Sequence, residues 1–235
     1  MKLKILLFLL FLLVIIFWYL ASNSNDVKRA VNRISNNVQK EVNSYKKNQE
    51  KTKDAELKAS DPEKWKQAQL VHVAKQAYLV ETLLHVFKGK YNVLPGDMSK
   101  KKVKAFGFTL DYKRDEKLRG NGKIEPHESD DAWKHLKEAN LIRDVPSTKL
   151  DNIGFSLVYY TYKGRSGHAV LIGSKSSSGI YDGGGFTVKD AVFTSQQRGA
   201  IMINGHGSND CIKDMKINNE SNDKSCALLI WVDGI

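Results

Sequence analysis

The sequence predicts an α+β head carried on a membrane anchor and a helical stalk. Three observations lead there. An unbroken apolar run covers residues 5–20. Apolar residues with helical spacing run from Leu70 to Phe87. Beyond residue 150 the pattern changes to short β-branched and aromatic runs between glycine turns. Helices followed by strands point to an α+β arrangement rather than alternating βα units.

Residues 1–21 form the expected transmembrane anchor. The run from Ile5 to Leu20, extended by Leu3 and Ala21, can cross most of a bilayer, which takes about 20 helical residues. Trp18 sits with Phe17 and Tyr19 at its outer end, where aromatic side chains favour the interface. Lys2 and Lys4 place the N-terminus in the cytoplasm and the rest of the chain beyond the membrane. Lys28, Arg29 and Arg33 pull against that orientation. The competing reading is a cleaved signal peptide, with "ASNSN" supplying small residues for cleavage. The length of the run and its aromatic cluster favour a permanent single-pass anchor.

Residues 22–60 are polar and contain neither glycine nor proline. Val27, Val31, Ile34, Val38 and Tyr45 recur at spacings of three, four and seven. That is a thin apolar stripe of helical period, a weak coiled-coil seam too narrow for a core. These residues are expected to form an exposed helical stalk.

Residues 61–235 make up the head. "SDPEKW" starts a new helix: Asp61 can cap it, Pro62 suits its first turn and Glu63 complements the dipole. Leu70, Val73, Ala77, Val80, Leu84 and Phe87 then share one stripe, which needs a hydrophobic sheet or another helix to cover it. Gly89 is expected to end this helix. Residues 90–124 read as irregular. "DDAWKHLKEANLI" reads as a short helix burying Ala132, Trp133, Leu136, Ala139 and Leu141. "IGFSLVYYTYKG" and "GHAVLIGSK" read as neighbouring antiparallel strands. "TVKDAVFTSQQRGAIM" reads as a helix from about Thr187, and "SCALLIWVD" as a last strand.

The net charge is +11, and residues 88–123 carry eleven Lys and Arg against four Asp and Glu. A basic face of this kind can attract nucleic acid or acidic lipid. No aromatic alternates with Lys100, Lys101, Lys102 and Lys104 as a base-stacking surface needs, which favours a solvated loop. Cys211 and Cys226, with fourteen residues between them, most simply form one disulfide in an oxidising compartment. Closing so short a loop contributes about 3 kcal/mol.

Four segments of the head match one pattern in order: "KYNVLPGDM" (90–98), "RGNGKIEP" (119–126), "ESDDAWKHLKEANLI" (128–142) and "CIKDMKINN" (211–219). Over residues 67–219 the chain resembles the heads of bacterial type IV pilin-like proteins and pseudopilins. In the late motif Asp214, Lys216 and Ile217 match, whereas Asn218 and Asn219 replace two acidic residues and Glu220 a glycine. The resemblance implies one long helix packed on an antiparallel sheet and a C-terminal region held by a disulfide. It also implies a non-enzymatic role with the protein components of a pilus or type II secretion machine. The expected location is the bacterial inner membrane, with the head in the periplasm or outside the cell. Pilins also carry a leader cleaved after glycine and an intramembrane glutamate. Here no glycine precedes Gly89 and no acidic residue precedes Asp26, so an ordinary polymerising subunit is not expected. The oligomeric state is left open.

No cofactor and no catalytic residue are expected. Asn121, Glu125, Glu128 and Asp130 form an oxygen-rich stretch that can bind calcium, although the acidic residues equally suit the first turn of the following helix. The alternative function is an anchored envelope hydrolase using His206 or His168. His206 lies five residues before Cys211, an arrangement that invites a Cys-His nucleophile. A third reading is an adhesin or DNA-binding head built on Lys100–Lys104. "SSSGIYDGGGF" lacks the Lys-Ser or Lys-Thr of a phosphate loop and reads as a flexible turn.

Overall fold

The structure is a computed structural model; it describes residues 25–108, 119–214, 216–219, 221 and 223–235. The anchor positions Leu3, Ile5, Trp18 and Leu20 lie outside the described residues. Among the described residues no helix is long and apolar enough to cross a membrane. The chain divides into two compact units after Pro62. The first contains helix α1 (Asn25–Ser60). The second, from Glu63 to Ile235, is an α+β unit.

Helix α2 (Pro62–Tyr91) opens the second unit, and its whole predicted stripe is buried. The helix runs two residues past Gly89. Asn92 ends it in the left-handed conformation (φ 52°), donating its amide to the Lys88 carbonyl at 2.8 Å. Asparagine tolerates that conformation better than other non-glycine residues, so the stop signal was Asn92 rather than Gly89. The segment after it is less irregular than expected. Helix α3 (Lys100–Ala105) forms there, with Val103 buried beneath it.

A 3₁₀ turn (Pro126–Glu128) leads into α4 (Ser129–Glu138). Strands β1 (Ile153–Tyr162) and β2 (Arg165–Ser174) pair antiparallel as predicted. Helix α5 (Val188–Arg198) starts at Thr187, whose side chain accepts from the Asp190 amide at 3.3 Å. It ends at Gly199 (φ 66°), earlier than expected, because the following "IMIN" forms strand β3 (Ile201–Asn204). Strands β4 (Ile212–Lys213) and β5 (Lys216–Ile217) make a small hairpin. Strand β6 (Cys226–Trp231) closes the main sheet.

The sheet order is β1-β2-β6-β3, antiparallel throughout. The last strand to be made is therefore inserted between β2 and β3. Alternation along each strand sends side chains to opposite faces. Phe155, Leu157, Val170, Ile172, Leu228 and Ile230 share the core with the α2 stripe. Val158, Ala169, Leu171, Ile203, Ala227 and Leu229 form a second cluster with Ile180. Burial on both faces explains the nearly continuous apolar runs of β2 and β6.

Ile180 belongs to the "SSSGIYDGGGF" segment, which is packed rather than a free turn. Gly183 and Ser174 exchange backbone hydrogen bonds, and Phe186 does the same with Cys226. The Tyr181 ring lies directly on Gly154, where a Cβ would sit 2.4 Å from it. The Cys211–Cys226 disulfide, with a Cα–Cα distance of 4.9 Å, fastens the β4–β5 region to the start of β6.

Two stability measurements check this packing. Phe87 is fully buried, stacks with Phe108 and His135 and meets the Tyr91 ring at a tilt. Phe87→Ala should lower the unfolding free energy by about 3–5 kcal/mol in a denaturant titration. Reducing the disulfide should cost about 3 kcal/mol in the same assay.

Candidate functional site

Three of the four motif segments meet in one hydrogen-bonded cluster at the end of α2. Its centre is the buried Asp97 carboxylate. Oδ1 accepts from the Gly120 amide and, at 3.2 Å, from the Asn121 amide. Oδ2 accepts from the Gly122 amide at 2.7 Å. A side chain thus does for a loop what a cap does for a helix: it satisfies successive N–H groups that have no backbone partner. Burial pushes the Asp97 carboxyl up, and the amides partly offset it.

Arg119 closes the cluster from the side. One guanidinium nitrogen donates to the Gly96 carbonyl at 2.8 Å, and another pairs with Asp131 of α4 at 2.6 Å. The Gly96 amide donates to His135 Nδ1 at 2.6 Å. Gly96 has φ of 86°, and a Cβ there would stand 2.8 Å from the Glu128 carbonyl. The Pro-Gly step is therefore fixed twice, by backbone conformation and by close approach.

Two titratable groups in the cluster are strongly shifted. His135 is fully buried, and loss of hydration lowers its pKa to about 4. Its Nδ1 must therefore be the unprotonated acceptor. Glu128 is equally buried; its Oε2 accepts from the Glu125 amide at 2.8 Å while Oε1 has no partner. Desolvation raises this carboxyl to about 7.

Of the four calcium candidates, two are engaged by neighbouring amides. Asn121 Oδ1 accepts from the Lys123 amide at 2.8 Å, and Glu128 is committed to the Glu125 amide. Asp130 is exposed and Glu125 half-buried. Among the described residues no group of three or more His, Cys, Asp or Glu could hold a metal ion. Lys100, Lys101, Lys102 and Lys104 are exposed, but they sit on helix α3 around the buried Val103, not on a loop.

His206 lies elsewhere, beside a polar cleft of about 500 Å³ lined by Ser174, Ser208, Asp210, Asp223 and Ser225. Its Nδ1 is 3.9 Å from Asp182 Oδ2, beyond hydrogen-bond range. Cys211 is consumed by the disulfide, which removes the Cys-His nucleophile. His168 is 5% exposed, edge-on to Tyr159 at 5.4 Å, and burial pushes its imidazole down. It lines neither of the two clefts described here. The second of these, about 530 Å³, lies between α4 and the start of β1, walled by Trp133, Lys137, Pro146, Lys175 and Tyr181. No local pattern marks it, because its walls come from well-separated stretches of the chain.

The cluster makes two predictions. Asp97→Ala strips the acceptor from three amides and should cost about 2–3 kcal/mol of stability, read by denaturant unfolding. The second concerns pH. His135 has an ordinary value of 6.5 and a folded value of about 4, so its contribution is lost as pH falls from 6.5 towards 4. Glu128 goes from 4.5 to about 7, so its contribution is full below 4.5 and lost as pH rises through 7. Between pH 4.5 and 6.5 the two slopes cancel. Glu128→Gln should unmask His135, and stability should then fall by about 2–3 kcal/mol on acidification across that range. Urea midpoints measured against pH in both proteins decide it.

The chain matches no family model, no curated protein and no solved structure.

Proposed function

We propose that this chain is a membrane-anchored, pilin-like structural or binding protein of a bacterial envelope, related to type IV pili or type II secretion. It is not an ordinary polymerising subunit. In this reading the anchor holds it in the inner membrane with the head beyond the cytoplasm, and its partners are protein components of the machine. The reading includes neither catalysis nor a resident cofactor.

The observation that carries it is the convergence of the motif segments on Asp97. "LPGD", "RGNG" and the α4 segment are far apart in sequence, yet each supplies a partner to the others. Residues shared in order with a family of non-enzymatic heads are here used for architecture. The Asp97 carboxylate, the Arg119 guanidinium and His135 Nδ1 all bond within the cluster, as a scaffold requires. The helix-on-sheet core and the disulfide fit the same reading.

The test is in-cell cross-linking of the full chain, followed by isolation of its complexes and N-terminal sequencing. Pilus or secretion components should be recovered, with the N-terminus intact. Recovery in purified filaments with a trimmed N-terminus would contradict the non-polymerising part. Recovery of no envelope component would contradict the whole.

One observation favours a second reading, an envelope hydrolase. His206 stands between Asp182 and a polar cleft rich in serine hydroxyls. Under that reading His206→Ala abolishes an activity on envelope polymers while the circular dichroism of the fold is unchanged. Under the structural reading His206→Ala leaves partner recovery as in the wild type.

A further inference from the structure

Helix α1 has 36 residues, and none of its described side chains is buried. Asp54 and Leu57 alone fall short of full exposure among them. Long helices in water draw most of their stability from packing an apolar face. Nothing among the described residues of its own unit supplies that packing.

The sequence of α1 says what kind of partner fits. Placing Val31, Val38 and Tyr45 at heptad position a puts Val27 and Ile34 at d. No other register collects these five apolar residues on one seam. Val38, whose side chain is described, is 54% exposed. In the same register Lys51 falls at g and Glu56 at the following e. In a parallel coiled coil those positions face each other across the two chains with opposite charge. Glu41 interrupts the seam at a core position, and beyond Tyr45 it weakens, where Asn48 and Thr52 take core positions.

We propose that α1 pairs with α1 of a second copy of this chain in a parallel, in-register coiled coil. β-branched residues at a favour two strands, and isoleucine at d shifts the balance towards three or more, so the assembly contains two or three chains. The pairing concerns the first compact unit alone.

The test uses the full chain in mild detergent. Both native cysteines are locked in the disulfide, so an added cysteine is the only free thiol. Val31→Cys and Tyr45→Cys should each give covalent dimers under mild oxidation. Asn36→Cys, on the opposite side of the helix, should cross-link at least tenfold more slowly. Light scattering should give two or three times the 26.5 kDa chain mass. Ile34→Lys combined with Val38→Lys should return it to one, with the near-ultraviolet spectrum of the head unchanged. A single-chain mass for the wild type would overturn the proposal. So would equal cross-linking at all three positions, or cross-linking at only one seam position, which indicates antiparallel pairing.

Discussion

The second unit depends on one buried carboxylate. Asp97 gathers the amides of Gly120, Asn121 and Gly122. That places Arg119 where it can reach both Gly96 and Asp131. Asp131 lies on α4, and α4 carries His135 back to the Gly96 amide. The circuit closes on itself. Each member is held by two others, so the end of α2, the glycine loop and α4 form one rigid piece. From that piece Ile124 accepts from the Tyr159 amide and Ser129 Oγ from the Leu157 amide. The edge of β1 is thereby fixed to it.

A network of this kind is demanding, because low dielectric strengthens made bonds and penalises missing ones alike. Glu128 shows the penalty. Its carboxyl is buried with one oxygen unpartnered, and it responds by keeping its proton to about pH 7. His135 responds in the opposite sense and stays neutral to about pH 4. Both buried groups avoid charge. Asp131, by contrast, is paired with both Arg119 and Lys134 at the partly exposed margin, where the acid keeps contact with water.

Much of the fold was legible in the sequence where a periodic signal was long. The α2 stripe, the β1–β2 hairpin and the β6 strand all follow from spacing. The errors fall where a short-range signal competed with context. Gly89 looked like a helix stop, but nothing forces a glycine to leave a helix, and Asn92 did so instead. "AIM" extended a helical pattern, yet Gly199 broke it and β6 offered Ile201–Asn204 a strand to pair with. Of the site, Asp97 was visible only as part of the "KYNVLPGDM" segment. Its actual partners, more than twenty residues away, were not, because local sequence cannot specify which distant loop docks. "SSSGIYDGGGF" misled for a related reason. A glycine-rich segment can signal freedom, or backbones packed too closely for side chains, and here it is the latter.

What the head has already used limits where a partner can bind. Both faces of the sheet are largely buried, and the β1 edge is occupied at Leu157 and Tyr159. Strand addition there would have to break the bonds that join β1 to the motif cluster. The exposed surfaces are of another kind. The outer side of α2 exposes Leu79 and Val86, and two clefts open beside loops. None of these includes Asp97 or Arg119. Substitutions in the motif cluster should therefore act on partners only through the fold, losing binding in step with stability. A residue that touches a partner loses binding while stability is kept. That separation, rather than the presence of the motif, distinguishes the scaffold of this head from its working surface.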